Sequence, residues 1–277
     1  MTQRLLVVHT GGIGDFLLCC PSIQALSRTF RVELLGRPDR LALAIEAGIA
    51  DKAHDIGAVG FESLFAAPNA AITSFLSGFA AAVVWMRDDD GALKRSLRSC
   101  GVPDAQVFPG LPPDDWDSHA SEYYVKQLGL DAREPFRLAL AGADRDLDVV
   151  VHPGSGGNRK NWPMDRFLSL TEQLQALGRR VHWCLGPAEE HIRVPSGAER
   201  LATSCLTELA RRLSCARAYV GNDSGITHLA AACGVPTTAI FGPTDPQVWA
   251  PRGRHVRAVQ GEPWPGVEAV LRSLIIV

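Results

Sequence analysis

No stretch of this sequence stays apolar for the roughly 18 to 20 residues that a bilayer-spanning helix requires; the longest candidates are interrupted by Arg, Asp or Pro. Nor is there a charged leader followed by an apolar region and a cleavage site, because the chain enters the strand-like run RLLVVHT almost at once. Both absences predict a cytoplasmic protein and leave peripheral attachment to a membrane open. No CxxC pair occurs: the seven cysteines form an odd set, mostly embedded in apolar segments, which predicts reduced core thiols rather than a disulfide or metal framework. No charge of one sign dominates, since 28 Lys and Arg stand against 30 Asp and Glu, and a net charge of -2 offers no electrostatic reason to expect nucleic acid. No set of His, Cys, Asp or Glu has metal-ligand spacing. HLAAAC reads as a helix and the DDD at 88–90 as a solvated turn. No metal is therefore expected.

What is present is an ordinary globular composition, 46% hydrophobic and 21% charged, on a chain of 277 residues that exceeds one usual core. Apolar β-type runs alternate with helix-period segments: RLLVVHT and then 16–30, RVELLG and then 38–48, FAAAVVWM and then 91–100. A helix over 118–129, ended by Gly129, closes this series, and the turn-rich LDAREPFRLALAGADRD follows as a linker. A second series runs DVVVH, helix 163–177, RRVHWCLG, a helix near 188–193, a short strand or loop around 200, helix 206–213, RAYVGN, helix 225–233 and TTAIFG. Such alternation predicts α/β architecture with parallel sheets covered by helices on both faces. The expected organisation is two α/β domains, 1–135 and 136–262, followed by a Pro-bounded helix in 263–277. Ligands of such sheets bind outside the carboxyl ends of the strands, so the loops there are the places to look for chemistry.

The first such loop lies in HTGGIGDF, residues 9–16. Gly11, Gly12 and Gly14 suggest a dinucleotide turn, but Leu17 occupies the third glycine position and RVELLGRP lacks the acid expected at its end, with Glu33 lying inside the strand. Asp15 sits where a helix begins. It is either a helix-start carboxylate favoured by the dipole or a base presented at the sheet edge. The second loop, HPGSGGNRKNWP, combines Gly154, Ser155, Gly156 and Gly157 with the cations Arg159 and Lys160, a pattern suited to phosphate although it is not a Walker loop. The third, GNDSGITHLAAACGVP, places Asp223 and Ser224 at the start of a short helix whose free N–H groups suit an anion, with His228 one turn in. Glu189 and Glu190 follow VHWCLG at another strand end, where a carboxylate could accept both hydroxyls of a ribose.

Taken in order, GGIGD, HPGSGGNRKNWP, GPAEEH, NDSGITHLAAACGVP and FGPTDP resemble the motif series of the heptosyltransferase family of glycosyltransferases, from residue 4 to the carboxyl terminus. The resemblance implies the GT-B fold, two Rossmann-like domains facing a cleft, with the last helix crossing back to the first domain. It implies inverting transfer of heptose from ADP-heptose to a lipopolysaccharide-core acceptor without a metal or other cofactor, at or near the inner membrane surface. By position, Asp15 matches the family's general base, in an acceptor-side loop with Gly11, Gly12 and Gly14. Lys160 matches the lysine that holds the donor diphosphate, and Asp223 the sugar-contacting aspartate. Gly154, Ser155 and Arg159 lie in the same donor loop as Lys160, while Ser224, Gly225, Ile226 and His228 match the helix-start donor site. Glu190 fits the ribose-binding acid, with Glu189 a near alternative, and Ser204, Cys205 and Leu206 fall at the adenine pocket. His9 stands where the family often carries Lys or Arg, and WMRDDD follows FAAAVV where an acidic and amide-containing pattern is common, so the donor loops are better preserved than the acceptor side. Two other readings compete: a non-catalytic sugar-nucleotide binder, and an epimerase or dehydrogenase, against which the missing GxGxxG stands.

Overall fold

The computed structural model describes residues 2–132, 134–140, 145–203 and 205–274. They form two α/β units, each with its own parallel sheet. The first contains β1 (Arg4–His9), α1 (Ile13–Leu26), β2 (Arg31–Gly36), α2 (Pro38–Glu46), β3 (Lys52–Asp55), α3 (Ala70–Leu76), β4 (Ala81–Trp85), α4 (Ala92–Ser99), β5 (Asp104–Phe108) and α5 (Ala120–Gln127). Its sheet runs β3-β2-β1-β4-β5. Leu5 to Val8 are buried on both faces, as the unbroken apolar run requires of a central parallel strand. His9 is level with Gly36 and Trp85, so three strands end together at one edge.

The edge strand β3 reads KAHD and was not anticipated. Paired on one side only, an edge strand needs no apolar run, which removes the signal that periodicity relies on. The DDD segment does more than turn the chain: Asp88 accepts from the backbone N–H groups of Leu93 and Lys94 at 2.9 and 3.0 Å, and Asp90 from that of Ala92 at 3.0 Å, satisfying the start of α4. Inside β2, the buried carboxylate of Glu33 accepts from Arg4 Nε at 2.9 Å and pairs with His54 Nε2 at 2.8 Å. Burial pushes this carboxyl up, but Arg4 and His54 outweigh it and hold the group below its ordinary value.

The second unit contains β6 (Leu147–His152), α6 (Met164–Ala176), β7 (Val181–Cys184), β8 (Glu199–Leu201), α7 (Leu206–Ser214), β9 (Ala216–Asn222), α8 (Gly225–Ala232), β10 (Thr237–Phe241), α9 (Pro246–Trp249), β11 (Val256–Gln260) and α10 (Val267–Ser273). Its sheet order is β11-β10-β9-β6-β7-β8. The helix expected near 188–193 is only a 3-10 turn over Pro187–Glu189, closed by the Glu189 carboxylate on the Gly186 N–H at 2.9 Å. Contacts assign to this unit Gly12–Leu17 and Asp117–His119 as well as Pro135–Val277.

The final helix, α10, packs on α6, β10 and β11. Val270 is fully buried in the same core as Trp162 and Val151, and Pro265 just before the helix accepts hydrogen bonds from Trp162 Nε1 and Arg166 Nη1, each at 2.9 Å. The apolar stripe Val267, Val270 and Leu271 therefore has its partner nearby.

His152 and His182 are buried, and burial lowers both below the ordinary value of 6.5. The unfolded chain then binds more protons than the folded one as pH drops through 6.5, and Glu33 adds the same sign below 4.5. Stability should be flat between 6.5 and 9.0, decline below 6.5, fall more steeply under 4.5, and decline again above 9.0, where the thiols of Cys20, Cys184 and Cys233, pushed up by burial, ionise only in the unfolded chain. A series of urea denaturation midpoints against pH measures this; a midpoint constant down to 4.5 would show the histidines to be inert.

Candidate donor site at the strand ends of the second unit

The glycine loop after β6 is closed at both ends by one residue. Asn222, fully buried at the end of β9, donates through Nδ2 to the Pro153 carbonyl at 2.7 Å and accepts at Oδ1 from the Trp162 N–H at 2.9 Å. Within the loop, Ser155 Oγ donates to Asn161 Oδ1 at 2.6 Å and lies 2.8 Å from the Gly157 carbonyl. A Cβ on Gly154 would lie 2.1 Å from Glu189 Oε1, so glycine is needed there for the Glu189 carboxylate to sit beneath the loop. His152 Nδ1 donates to the Cys184 carbonyl at 2.9 Å, a satisfied strand-end histidine.

Lys160, carried on the 3-10 turn Asn158–Lys160, places Nζ 3.0 Å from Asp223 Oδ2, and Thr244 Oγ1 donates to the same oxygen at 2.9 Å. Asp223 is 8% exposed and Lys160 33%, so the cation has access to solvent while the carboxylate is almost enclosed. Ser224 caps α8, accepting at Oγ from the Thr227 N–H at 3.3 Å. Thr227 Oγ1 donates to the Asn222 carbonyl and lies 3.1 Å from both Tyr219 Oη and Ser224 Oγ. Burial raises the Tyr219 phenol well above its usual range, which keeps the hydroxyl protonated.

The start of α1 abuts the start of α8. A Cβ on Gly225 would lie 2.6 Å from Ile13 Cβ, and one on Gly14 would lie 3.3 Å from His228 Cδ2. Two helix N-termini, each with unsatisfied N–H groups and a positive dipole end, thus converge. Asp15 Oδ2 accepts from the Gly12 N–H at 2.8 Å, closing the first turn of α1. The His228 ring, bonded to the backbone of Trp249, is lowered chiefly by burial; the charges of Asp223 and Asp15 raise it and Lys160 lowers it. Neutral imidazole is the resting form, so His228 adds a hydrogen-bonding group rather than a second cation. Among the described residues no three His, Cys, Asp or Glu side chains gather as metal ligands, and no helix is long and apolar enough to cross a membrane.

The model of glycosyltransferase family 9 (heptosyltransferase) matches residues 100–271, which include every loop just described except that of Asp15. The chain belongs to this family. Lipopolysaccharide heptosyltransferase 1 of Pseudomonas aeruginosa is 34% identical over 160 residues, 51% of this chain and 45% of that relative. Lipooligosaccharide heptosyltransferase 2 of Haemophilus influenzae is 32% identical over 181 residues, 58% of this chain and 49% of that one. The chain therefore spans about half the length of the curated relatives it matches. Among solved structures, ADP-heptose lps heptosyltransferase II of E. coli superposes with a TM-score of 0.77 at 17% identity, covering 98% of this chain and 97% of that one. Two parallel-sheet Rossmann-like units, the α/β GT-B class expected, are thus the family-9 fold of this chain.

Of the residues singled out from sequence, Asp15, Gly14, Lys160, Asp223, Ser224, Gly225 and His228 are gathered at these two helix starts. Ile226 is half-buried beside them. Gly154 and Glu189 form a separate brace under the glycine loop. Arg159, Glu190 and Cys205 are exposed, Leu206 is half-buried at the first position of α7, and Ser204 lies outside the described residues. Gly11 accepts at its carbonyl from Arg40 Nη1, and Gly12 is exposed. Sequence reasoning missed Asn222 and Thr244. For Asn222 a signal existed, a polar side chain at the end of an otherwise apolar strand, which needs hydrogen-bond partners once buried. Thr244 lies in a turn-rich loop whose direction no pattern conveys.

Proposed function

We propose that this chain is an inverting, metal-independent glycosyltransferase that moves heptose from ADP-heptose to a hydroxyl of a lipopolysaccharide-core or related glycan acceptor. The observation that carries this reading is the meeting of Asp15, Lys160 and the start of α8 in one place. Asp15 takes the acceptor proton as the new bond forms at the anomeric carbon. The bond from that carbon to the diphosphate breaks on the opposite face, and ADP departs with the electron pair. Lys160 and the N–H groups at Ser224, Gly225 and Ile226 stabilise the leaving charge, an electrostatic task done by groups already in position. Asp223 receives sugar hydroxyls and His228 completes the helix-start site. Gly154, Ser155 and Arg159 shape the diphosphate loop. Cys205 and Leu206 line the adenine pocket. Glu190, exposed, takes the ribose hydroxyls, while Glu189, buried and bonded to Gly186, braces the loop. Gly11, Gly12 and Gly14 let the acceptor approach the backbone. The chain works in the cytoplasm, in peripheral contact with the inner membrane where the acceptor lies.

The donor is supported by solved family structures: one is described as an ADP-heptose heptosyltransferase, and another contains ADP-2-deoxy-2-fluoro heptose. A thermal-shift panel of nucleotide sugars tests the assignment. ADP-heptose at a hundred times its Kd should raise stability by about 2.7 kcal/mol, UDP- and GDP-sugars should not, and turnover with a lipopolysaccharide-core acceptor should persist in EDTA. Stabilisation without turnover would leave a sugar-nucleotide binder, and loss of turnover in EDTA would refute metal independence.

A further inference from the structure

The loop after β10, Gly242–Pro243–Thr244–Asp245, sends one hydroxyl into the donor site, and no role in the reaction so far uses it. Thr244 Oγ1 donates to Asp223 Oδ2 at 2.9 Å, beside the Lys160 Nζ contact at 3.0 Å on the same oxygen. Neither bond engages Oδ1. The loop that carries Thr244 is fixed by contacts of its own. Asp245 Oδ1 accepts from the Gln247 N–H at 2.8 Å and caps α9, and the Thr244 carbonyl lies 3.4 Å from Gln260 Nε2. A Cβ on Gly242 would lie 2.6 Å from the Trp264 ring, so the loop is seated against that indole. Asp223 is tied to the same region by its N–H, which donates to the Ile240 carbonyl at 3.0 Å.

We infer that Thr244 is a positioning residue for sugar recognition: it holds Asp223 Oδ2 so that Oδ1 is presented to a hydroxyl of the transferred sugar. Lys160 cannot do this throughout the reaction. A diphosphate competes with Asp223 for its ammonium group, and when Lys160 turns to the phosphates Thr244 keeps its charge-assisted bond on Oδ2. The threonine side chain, branched at Cβ, has few rotamers to choose from, so the bond persists with little ordering cost. The consequence is a division of labour. Lys160 reads the diphosphate, and the Thr244–Asp223 pair reads the sugar.

This inference rests on the reading of Asp223 as the sugar contact, and the test separates the two. Calorimetric titration of ADP and of ADP-heptose into the wild type, Thr244→Val and Thr244→Ser gives the affinity gained from the sugar. Thr244→Val is nearly isosteric and removes only the hydroxyl. It should bind ADP within about twofold of wild type and ADP-heptose about tenfold more weakly, the loss of one hydrogen bond to a charged group. Thr244→Ser should restore most of that tenfold. Unchanged ADP binding shows that the valine variant is folded. A parallel loss for both ligands would make Thr244 structural and overturn the inference, as would no loss for either or a serine variant as weak as valine. Wild-type protein that binds ADP-heptose no tighter than ADP would remove the role of Asp223 and this inference with it. Wild-type protein that binds neither would instead overturn the proposed donor.

Discussion

Asp15→Asn is expected to lower turnover by about 10³-fold, within the range for removal of a general base, while ADP and ADP-heptose bind as before. The geometry makes asparagine the informative choice. Asp15 Oδ2 accepts from the Gly12 N–H at 2.8 Å, and the amide oxygen of asparagine can accept the same bond. The first turn of α1 stays closed, so what disappears is basicity and charge. Alanine would remove both functions and confuse them. Transfer rate and donor titration, measured together, decide the matter. If donor affinity falls in step with rate, Asp15 serves only to shape the junction between the starts of α1 and α8, a role its bond to Gly12 already supports. Because Asp15 contributes to the electrostatic surroundings of His228, the pH profile of the variant should be recorded as well, and the limb that reports the base should vanish.

Lys160→Ala should weaken ADP binding by about tenfold to a hundredfold and cut turnover by about 10²-fold to 10³-fold. Two effects contribute. The diphosphate loses a cation that is 33% exposed and so free to reach it. In addition, Asp223, 8% exposed, keeps Thr244 as a hydrogen-bond donor on Oδ2 but loses the cation, and its charge now faces the phosphates unscreened. A double substitution separates the contributions: Asp223→Asn in the Lys160→Ala background should recover part of the ADP affinity by removing the repulsion, yet none of the turnover. Isothermal titration and initial rates on the four proteins complete the cycle. Additive losses would mean that the 3.0 Å pair seen here has no energetic consequence.

Much of the fold was legible because central parallel strands are apolar on both faces. RLLVVH, AAVVW, LDVVVH, VHWC and TTAIF are buried throughout or nearly so. KAHD and VRAVQ were not legible, being edge strands with exposed residues that lack such runs. The glycine loop after β6 and the capped start of α8 were legible for a different reason. Clustered glycines beside Arg159 and Lys160, and Asp223–Ser224 before a short helix, are local chemistry that needs no distant partner to be recognised. Glu189 and Glu190 show the limit of this, since adjacent residues of one type differ entirely in burial, one under the glycine loop and the other exposed.

By itself the sequence determined the α/β alternation, the two units and the position of the glycine-rich loops at the strand ends, because helix period, strand apolarity and capping residues are properties of neighbours along the chain. Only the tertiary structure decided that Gly12–Leu17 belongs with the second unit, that Asn222 closes both ends of the glycine loop, that Thr244 meets Asp223, and that α10 packs on α6. Each of these joins residues far apart in sequence, and each is settled by close packing and by the need of a buried polar group for a partner. Neither requirement leaves a periodic trace in the chain.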